Sequence, residues 1–102
     1  MALSSIDPVL TPPARLQIAA VLANAQDADF ARLKAIIGAS DSVTSKHLSA
    51  LTDAGYAVLH KASIDGRQRT SASLTRAGRK AFDRHVAALR AIVDGSTTQA
   101  AE

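Results

Sequence analysis

The sequence predicts a mainly α-helical fold with one small β-hairpin, in the order helix, helix, helix, strand, strand, helix. Apolar residues recur at helical spacing in four segments, and glycines stand where several of these segments end. Between the third and fourth segments, Tyr56–Ser63 alternates with a period of two, and Asp65-Gly66 follows as a hairpin turn signal before Arg67–Leu74. These observations fix the expected order of elements.

The first two helices carry recognisable start and stop signals. Thr11 followed by Pro12 combines a hydroxyl N-cap with a proline at the first helical position, so we expect a helix from there to about Asn24. Asp29 can cap the second helix, and Gly38 can end it in the left-handed conformation.

The third and fourth helices are delimited in the same way. Ser40 or Asp41 can cap the third, which Gly55 terminates, and Thr75 can cap a long last helix that stops at Gly95. The expected buried stripe of the third helix is Val43, Leu48 and Leu51. We expect one domain over residues 1–94, followed by a flexible C-terminal tail over residues 95–102, which is small and polar.

Composition excludes several classes of protein. The 102 residues suit one domain, and 47% hydrophobic with 21% charged residues fits neither a disordered chain nor a membrane protein. Without cysteine there is no disulfide, thiol nucleophile or cysteine metal site, and a reducing compartment is the default. There is no long apolar run and no basic start of a secretory signal, so we expect a cytoplasmic protein.

Positive charge is concentrated in the middle of the chain. Residues 32–80 carry nine basic and three acidic side chains, whereas acidic side chains outnumber basic ones in residues 1–31 and 81–102. Such segregation favours one face that meets a polyanion, with an ordinary solvated surface as the alternative.

Two helices joined by a tight turn and followed by a hairpin are the parts of a winged helix-turn-helix, in which a helix fits the DNA major groove and the hairpin reaches the flank. Residues 7–89 resemble the winged-helix regulators of the MarR/ArsR-like superfamily, of the small single-domain type. The matching motifs are Asp7-Pro8-Val9, Pro13-Ala14-Arg15-Leu16, Lys46-His47-Leu48, Ala54-Gly55-Tyr56 and Leu74-Thr75-Arg76-Ala77-Gly78-Arg79. The resemblance implies a dimeric, DNA-binding transcriptional regulator.

The third helix is the candidate recognition helix. Its polar residues, with His47 at the margin of the buried stripe, are Ser42, Thr44, Ser45, Lys46, His47 and Ser49. Short hydroxyl side chains can donate to phosphates or touch base edges, and Lys46 can reach a guanine or a phosphate. Because the helix has no Arg, Asn or Gln, we expect modest direct readout with a contribution from DNA shape. A plain polar face is the alternative.

Basic residues also surround the hairpin turn and the start of the last helix. The candidate flank contacts are Lys61, Arg67, Gln68, Arg69, Arg76 and Arg79. Cations at a helix N-terminus oppose the helix dipole, a cost that phosphate contacts would explain. Arg32 and Lys34 can act in the same way, and for Arg15 a structural ion pair with a nearby acid is the alternative.

The last helix carries more apolar residues than a small core can use. We expect a homodimer interface, widened by Ala81, His85 and Ile92, and composed of Ile6, Val9, Leu10, Phe82, Val86, Leu89 and Val93. A twofold dimer would present its two recognition helices roughly 34 Å apart. The alternative is a monomer in which these residues fold back on the first helix.

The sequence therefore predicts a sequence-dependent double-stranded DNA-binding regulator, a homodimeric repressor that blocks polymerase access. The alternative function is a winged-helix protein–protein interaction module without DNA binding. We expect no enzyme, metal or cofactor, because the three histidines lie in different elements without ligand spacing and no paired carboxylates share a helix face. A small-molecule effector stays open, with no residue that requires it.

Overall fold

The computed structural model describes residues 5–95, which form four helices and a three-stranded antiparallel sheet. The elements are α1 Pro13–Ala23, β1 Ala28–Asp29, α2 Phe30–Ile37, α3 Asp41–Asp53, β2 Ala57–Ile64, β3 Arg67–Leu74 and α4 Arg76–Asp94. The predicted order of helices and hairpin is confirmed, and the short strand β1 is an addition to it. Apart from Gly95, the predicted tail lies outside the described residues.

Three helices begin at predicted N-caps. The Asp29 carboxylate accepts a hydrogen bond from the third backbone N–H of its helix at 2.8 Å. The Ser40 and Thr75 hydroxyls do the same for α3 and α4, at 3.1 and 2.9 Å. Each bond satisfies an N–H that the helix itself leaves free. Gly38 ends α2 with a φ of 64°, the left-handed conformation expected there.

The start of α1 differs from the prediction. The helix begins at Pro13 with Pro12 as its N-cap, and no side chain caps it. Thr11 instead donates its hydroxyl proton to the backbone oxygen of Asp7 at 2.7 Å, in a turn closed by a bond from the Leu10 N–H to that oxygen. Because Pro13 has no N–H, the first helical position needs no capping acceptor, and the Thr11 hydroxyl is free to stabilise the turn.

The sheet has the strand order β1-β3-β2. In the hairpin, Ala57 pairs with Leu74 and Ile64 with Arg67, so the strands are in register along their full length. Asp65 and Gly66 join them with φ values of 50° and 75°, as a two-residue hairpin turn with both central residues left-handed requires. Strand β1 pairs with β3 close to Ala72 and is too short to show a period of its own.

The hydrophobic core lies between α1, α2, α3 and the base of the sheet. Its buried members are Leu10, Ile18, Ala19, Leu22, Ala28, Leu33, Leu48, Leu51, Ala57, Ala72 and Ala81. Within β2 only Ala57 is buried, and the seven residues after it are exposed. The outer part of the hairpin therefore extends beyond the core, where it is free to contact another molecule.

The buried stripe of α3 contains Leu48 and Leu51 as predicted, but its first member differs from the prediction. Val43, expected in the core, is 43% exposed, and Thr44, expected on the polar surface, is completely buried. Thr44 donates its hydroxyl proton to the Ser40 carbonyl oxygen one turn earlier, at 2.8 Å. A hydroxyl bonded within its own helix can be buried at low cost, so Thr44 joins Leu48 and Leu51 on the inner face.

Gly78 is required by close packing between α4 and the residue that precedes β2. A Cβ atom at this buried position would overlap the backbone carbonyl of Tyr56. The same carbonyl oxygen accepts the N–H of Thr75 at 3.0 Å. The glycine therefore lets the first turn of α4 lie directly against the backbone at the base of the hairpin.

Candidate nucleic-acid interface

Helix α3 presents most of its predicted polar residues outward. Ser42, Ser45, Lys46 and Ser49 are exposed, and His47 is half-buried. Thr44 is sealed beneath them, so its predicted contact with DNA is wrong. Within residues 5–95, Lys46 makes no ion pair, which leaves its charge available to a ligand.

An open groove of about 380 Å³ lies between α3 and the hairpin. Ser45 and Ser49 of α3 line one side, and Lys61 of β2 lines the other. The remaining lining residues are Phe30, Asp41, Leu48, Leu59 and Thr70. The fold thus brings two of the six predicted helix residues and one predicted hairpin residue to the same groove, as a joint contact with one ligand requires.

A second groove of about 340 Å³ separates the start of α2 from β3 and is lined by Gln68 and Arg69. Arg69 lies 3.4 Å from the Asp29 carboxylate, the group that also caps α2. Arg69 therefore connects the hairpin to the N-cap of α2. Arg67, next to the turn, is exposed and makes no ion pair in the described part of the chain.

Lys34 of α2 and Asp41 of α3 form an ion pair of 2.8 Å across the turn between the two helices. Asp41 lies in the first turn of α3, where a negative charge is favourable to the helix dipole but repels phosphate. Lys34 neutralises that charge, so its role in the structure is to balance an acid beside the interface. The pair is exposed and contributes about 0–1 kcal/mol to stability.

Arg15 reaches the third helix from α1. Its Nε donates to Nδ1 of His47 at 3.3 Å, and its Nη1 donates to the Val9 carbonyl oxygen at 3.1 Å. The alternative prediction for Arg15 was an ion pair with a nearby acid. Within residues 5–95 Arg15 forms no such pair, so that prediction is wrong. Burial, and then the positive charge of Arg15, lower the pKa of His47 from its ordinary value.

The basic residues at the start of α4 divide into two roles. Arg79 donates from Nη1 to the Ala23 carbonyl oxygen at 3.0 Å, which satisfies a free carbonyl at the end of α1. Arg76 and Lys80 are exposed and make no ion pair in the range that the structure describes. Arg76 is thus a free positive charge, whereas Arg79 already joins α4 to α1.

Comparison with known proteins decides the family. The family described as Winged helix DNA-binding domain matches residues 14–93. The chain belongs to this family. The resemblance seen in the sequence motifs is confirmed for the winged-helix fold and for its connection with transcriptional regulators, and the protein is a DNA-binding domain of that kind.

Two solved structures are similar to this winged-helix domain. The transcriptional regulator homologue protein from Pyrococcus horikoshii OT3 is 26% identical, with a TM-score of 0.79 over 85% of this chain and 86% of that chain. NadR in complex with 4-hydroxyphenylacetate is 25% identical, with a TM-score of 0.70 over 86% of this chain and 64% of that chain. No curated protein sequence matches the chain.

The winged-helix domain also exposes part of the predicted dimer surface. On α4, Val93 is 82% exposed and Ile92 is 42% exposed. Residues that are half-buried and retain some surface are Ile6, Val9, Phe82, Val86 and Leu89. The prediction is wrong for Leu10, and for Ala81 and His85 as its extension, because all three are buried in the core of their own protomer.

The winged-helix domain has no membrane-spanning candidate among its described helices, none of which is both long and apolar enough. Residues 5–95 also contain no group of three or more His, Asp or Glu side chains placed to hold a metal ion.

The features that sequence reasoning missed are the contacts Arg15–His47 and Asp29–Arg69. Each joins residues that are far apart in the chain, so no local spacing signals it.

Proposed function

We propose that the protein is a homodimeric transcriptional repressor that binds duplex DNA in a sequence-dependent manner. Helix α3 would enter the major groove, and the β2–β3 hairpin would contact the flanking backbone. The observation that carries this proposal is the groove shared by Ser45 and Ser49 of α3 and Lys61 of β2. Repression would follow from occupation of DNA that polymerase needs.

Charge supports contact with a phosphate backbone. Among residues 5–95, three exposed basic side chains of α3 and the hairpin make no ion pair: Lys46 on α3, Lys61 on β2, which lines the groove, and Arg67 beside the turn. Asp41, which lines the groove, and Asp29, at the start of α2, are each paired with a basic side chain. Neutralising those acids removes repulsion that phosphate would otherwise meet.

The dimer is supported by the exposed apolar side chains of α4. Val93 and Ile92 present apolar surface that the protomer does not bury. Pairing with a second copy would cover that surface and present two recognition helices about 34 Å apart, the spacing of successive major grooves. A transcriptional regulator must be in the same compartment as the chromosome. We therefore assign the protein to the cytoplasm.

Footprinting on genomic fragments tests the proposal. We expect protection of an inverted repeat with half-site centres separated by about one turn of DNA, roughly 10 base pairs. With about six phosphate contacts per dimer, the logarithm of the binding constant should fall with the logarithm of salt concentration at a slope of about −5. Absence of binding to any duplex at low salt would overturn the proposal.

The competing function is a winged helix that contacts another protein. An apolar or acidic α3 surface would favour it. The exposed side chains of this helix are mostly polar: three serines and Lys46, with Val43, Asp53 and Asp41, whose charge Lys34 neutralises. Capture of a protein partner together with no duplex binding would support that alternative. The DNA-binding proposal fits the polar α3 surface better.

A further inference from the structure

The bond between Arg15 and His47 connects α1 to the margin of the exposed face of α3. The guanidinium of Arg15 is held from two sides, because it donates to Nδ1 of His47 at 3.3 Å and to the Val9 carbonyl oxygen at 3.1 Å. Arg15 and His47 are both half-buried, so neither is a freely moving surface side chain. Their contact therefore fixes the orientation of the His47 ring relative to α3.

This contact also fixes where the imidazole proton lies. The Nε of an arginine always carries hydrogen and cannot accept, so Nδ1 of His47 must be the unprotonated, accepting nitrogen. A neutral imidazole has one N–H, which is then on Nε2. Burial of His47, and then the positive charge of Arg15 on α1, disfavour a second proton on the ring.

Nε2 of His47 is open to solvent. It has no hydrogen-bond partner among residues 5–95, and the only enclosed side-chain nitrogen or oxygen without a partner in that range belongs to His85. His47 does not line the groove with the hairpin; it follows the exposed Lys46 on α3, on the side of the helix that meets α1. Its Nε2–H is thus a free donor on the recognition helix.

We propose that Arg15 is a positioning residue for DNA binding, which holds His47 as the neutral Nε2–H tautomer so that α3 offers an oriented donor to an acceptor atom of DNA. This inference rests on the proposed function. The acceptor is a phosphate oxygen or a base-edge oxygen or nitrogen. A phosphate contact affects all duplexes equally, whereas a base contact changes the ranking of sites, so the same assay separates them.

Two substitutions at His47 separate the two nitrogens of the ring. His47→Asn places an amide oxygen near the position of Nδ1, so it can accept from Arg15 but does not reach as far as Nε2. His47→Gln places an amide N–H group near the position of Nε2, so it keeps the outward donor. We expect His47→Gln to bind DNA within about threefold of wild type and His47→Asn to bind about tenfold more weakly, the effect of one hydrogen bond.

Arg15→Met tests the positioning role directly. Without the Arg15 donor and charge, the pKa of His47 should rise and ¹⁵N NMR should show a mixture of tautomers in place of Nε2–H alone. DNA affinity should fall about fivefold at about pH 8 and recover towards about pH 6, where His47 gains a proton and becomes a charged donor. In the His47→Gln background, the affinity of Arg15→Met should show no such recovery.

The controls keep a structural effect apart from a positioning effect. Arg15→Met also removes the bond to Val9, so circular dichroism and thermal unfolding must accompany it, whereas both His47 variants retain that bond. Failure of wild type to bind any duplex would overturn the proposed function. Binding by wild type, together with equal affinities for His47→Gln and His47→Asn or an unchanged His47 tautomer in Arg15→Met, would overturn this inference alone.

Discussion

At the scale of single residues, a polar cluster ties the segment before α1 to the rest of the protein. His85 is 1% exposed, and its Nδ1 accepts the backbone N–H of Asp7 at 2.9 Å. The Asp7 carboxylate in turn accepts the Tyr56 hydroxyl proton at 2.6 Å and the Val9 N–H at 2.9 Å. Through these bonds the N-terminal turn is held against α4 and the base of the hairpin at once.

The same cluster gives a prediction about stability. His85→Leu leaves the Asp7 N–H without an acceptor, whereas His85→Asn keeps an oxygen near the position of Nδ1. We expect His85→Leu to lower the free energy of unfolding by about 1–3 kcal/mol more than His85→Asn, the cost of one unsatisfied buried donor. Urea unfolding measures the difference. Equal stability of the two variants would show that the bond to Asp7 contributes nothing measurable.

Residue-scale packing also shows why one of the three residues predicted for the buried stripe of α3 was wrong. Hydropathy favours Val43 over Thr44 for the core, but the Thr44 hydroxyl bonds within its own helix and the residue is buried. The caps at Asp29 and Thr75 could be predicted because the acceptor and the N–H are three residues apart. Arg15–His47 spans 32 residues and depends on how α1 packs on α3, which no spacing encodes.

At the scale of elements, the junction of α4 with the base of the hairpin depends on Gly78. In an open helix, alanine would be about 1 kcal/mol better than glycine. Here Gly78→Ala would place its Cβ in the Tyr56 carbonyl, so the first turn of α4 or the base of the hairpin must shift. We expect a loss of about 3 kcal/mol in the free energy of unfolding, measured by urea or thermal unfolding.

Gly66→Ala is the matched control for that substitution. Gly66 has a φ of 75° but nothing within 4 Å of the position of a Cβ, so alanine meets backbone strain and no clash. Its expected cost is about 1–2 kcal/mol, and the core should be unaffected because the hairpin tip lies outside it. A Gly78→Ala variant that is as stable as wild type would contradict the close approach of the two backbones.

The hairpin itself carries the next prediction, which concerns Arg67. Arg67 is exposed beside the turn and unpaired within residues 5–95, whereas Arg69 is engaged with Asp29. Arg67→Ala should weaken binding to all duplexes and reduce the size of the salt slope by about one for each hairpin. Salt titrations with two unrelated duplexes measure both effects.

Arg90→Ala removes the same charge from an exposed position on α4 and serves as the control. Because net charge changes equally in both variants, a general electrostatic effect would weaken them alike. A phosphate contact at the hairpin would reduce the salt slope of the Arg67→Ala variant and leave the salt slope of Arg90→Ala unchanged. Identical slopes for wild type and Arg67→Ala would remove the hairpin from the proposed mechanism.

At the scale of the whole molecule, the charges divide between holding the fold and meeting a ligand. The sequence places nine basic side chains in residues 32–80, and counting alone cannot assign them. In the structure, Lys34 and Arg69 neutralise acids and Arg79 bonds a helix end. Six of the nine remain without such a partner among residues 5–95: Arg32, Lys46, Lys61, Arg67, Arg76 and Lys80. The positive charge available to a ligand is therefore smaller than composition suggests.

Dimerisation is the remaining property of the whole molecule to test, and α4 offers a matched pair of substitutions. Val93 is 82% exposed and continues the apolar stripe of Val86 and Leu89, whereas Ala87 is exposed on a different face of the helix. Val93→Glu should give monomers in sedimentation velocity at about 10 μM, because a charge would be buried without a partner at the interface. Ala87→Glu should stay dimeric.

Loss of the dimer should also weaken binding to DNA. Val93→Glu and Ala87→Glu each add one negative charge, so repulsion between that charge and DNA should affect them equally. A difference between their DNA affinities therefore measures the effect of joining two subunits on binding to two half-sites. We expect Val93→Glu to bind a full inverted repeat at least about tenfold more weakly than Ala87→Glu, and to bind an isolated half-site equally well. A dimeric Val93→Glu protein, or a wild-type protein that sediments as a monomer while protecting both half-sites, would show that α4 does not pair the subunits.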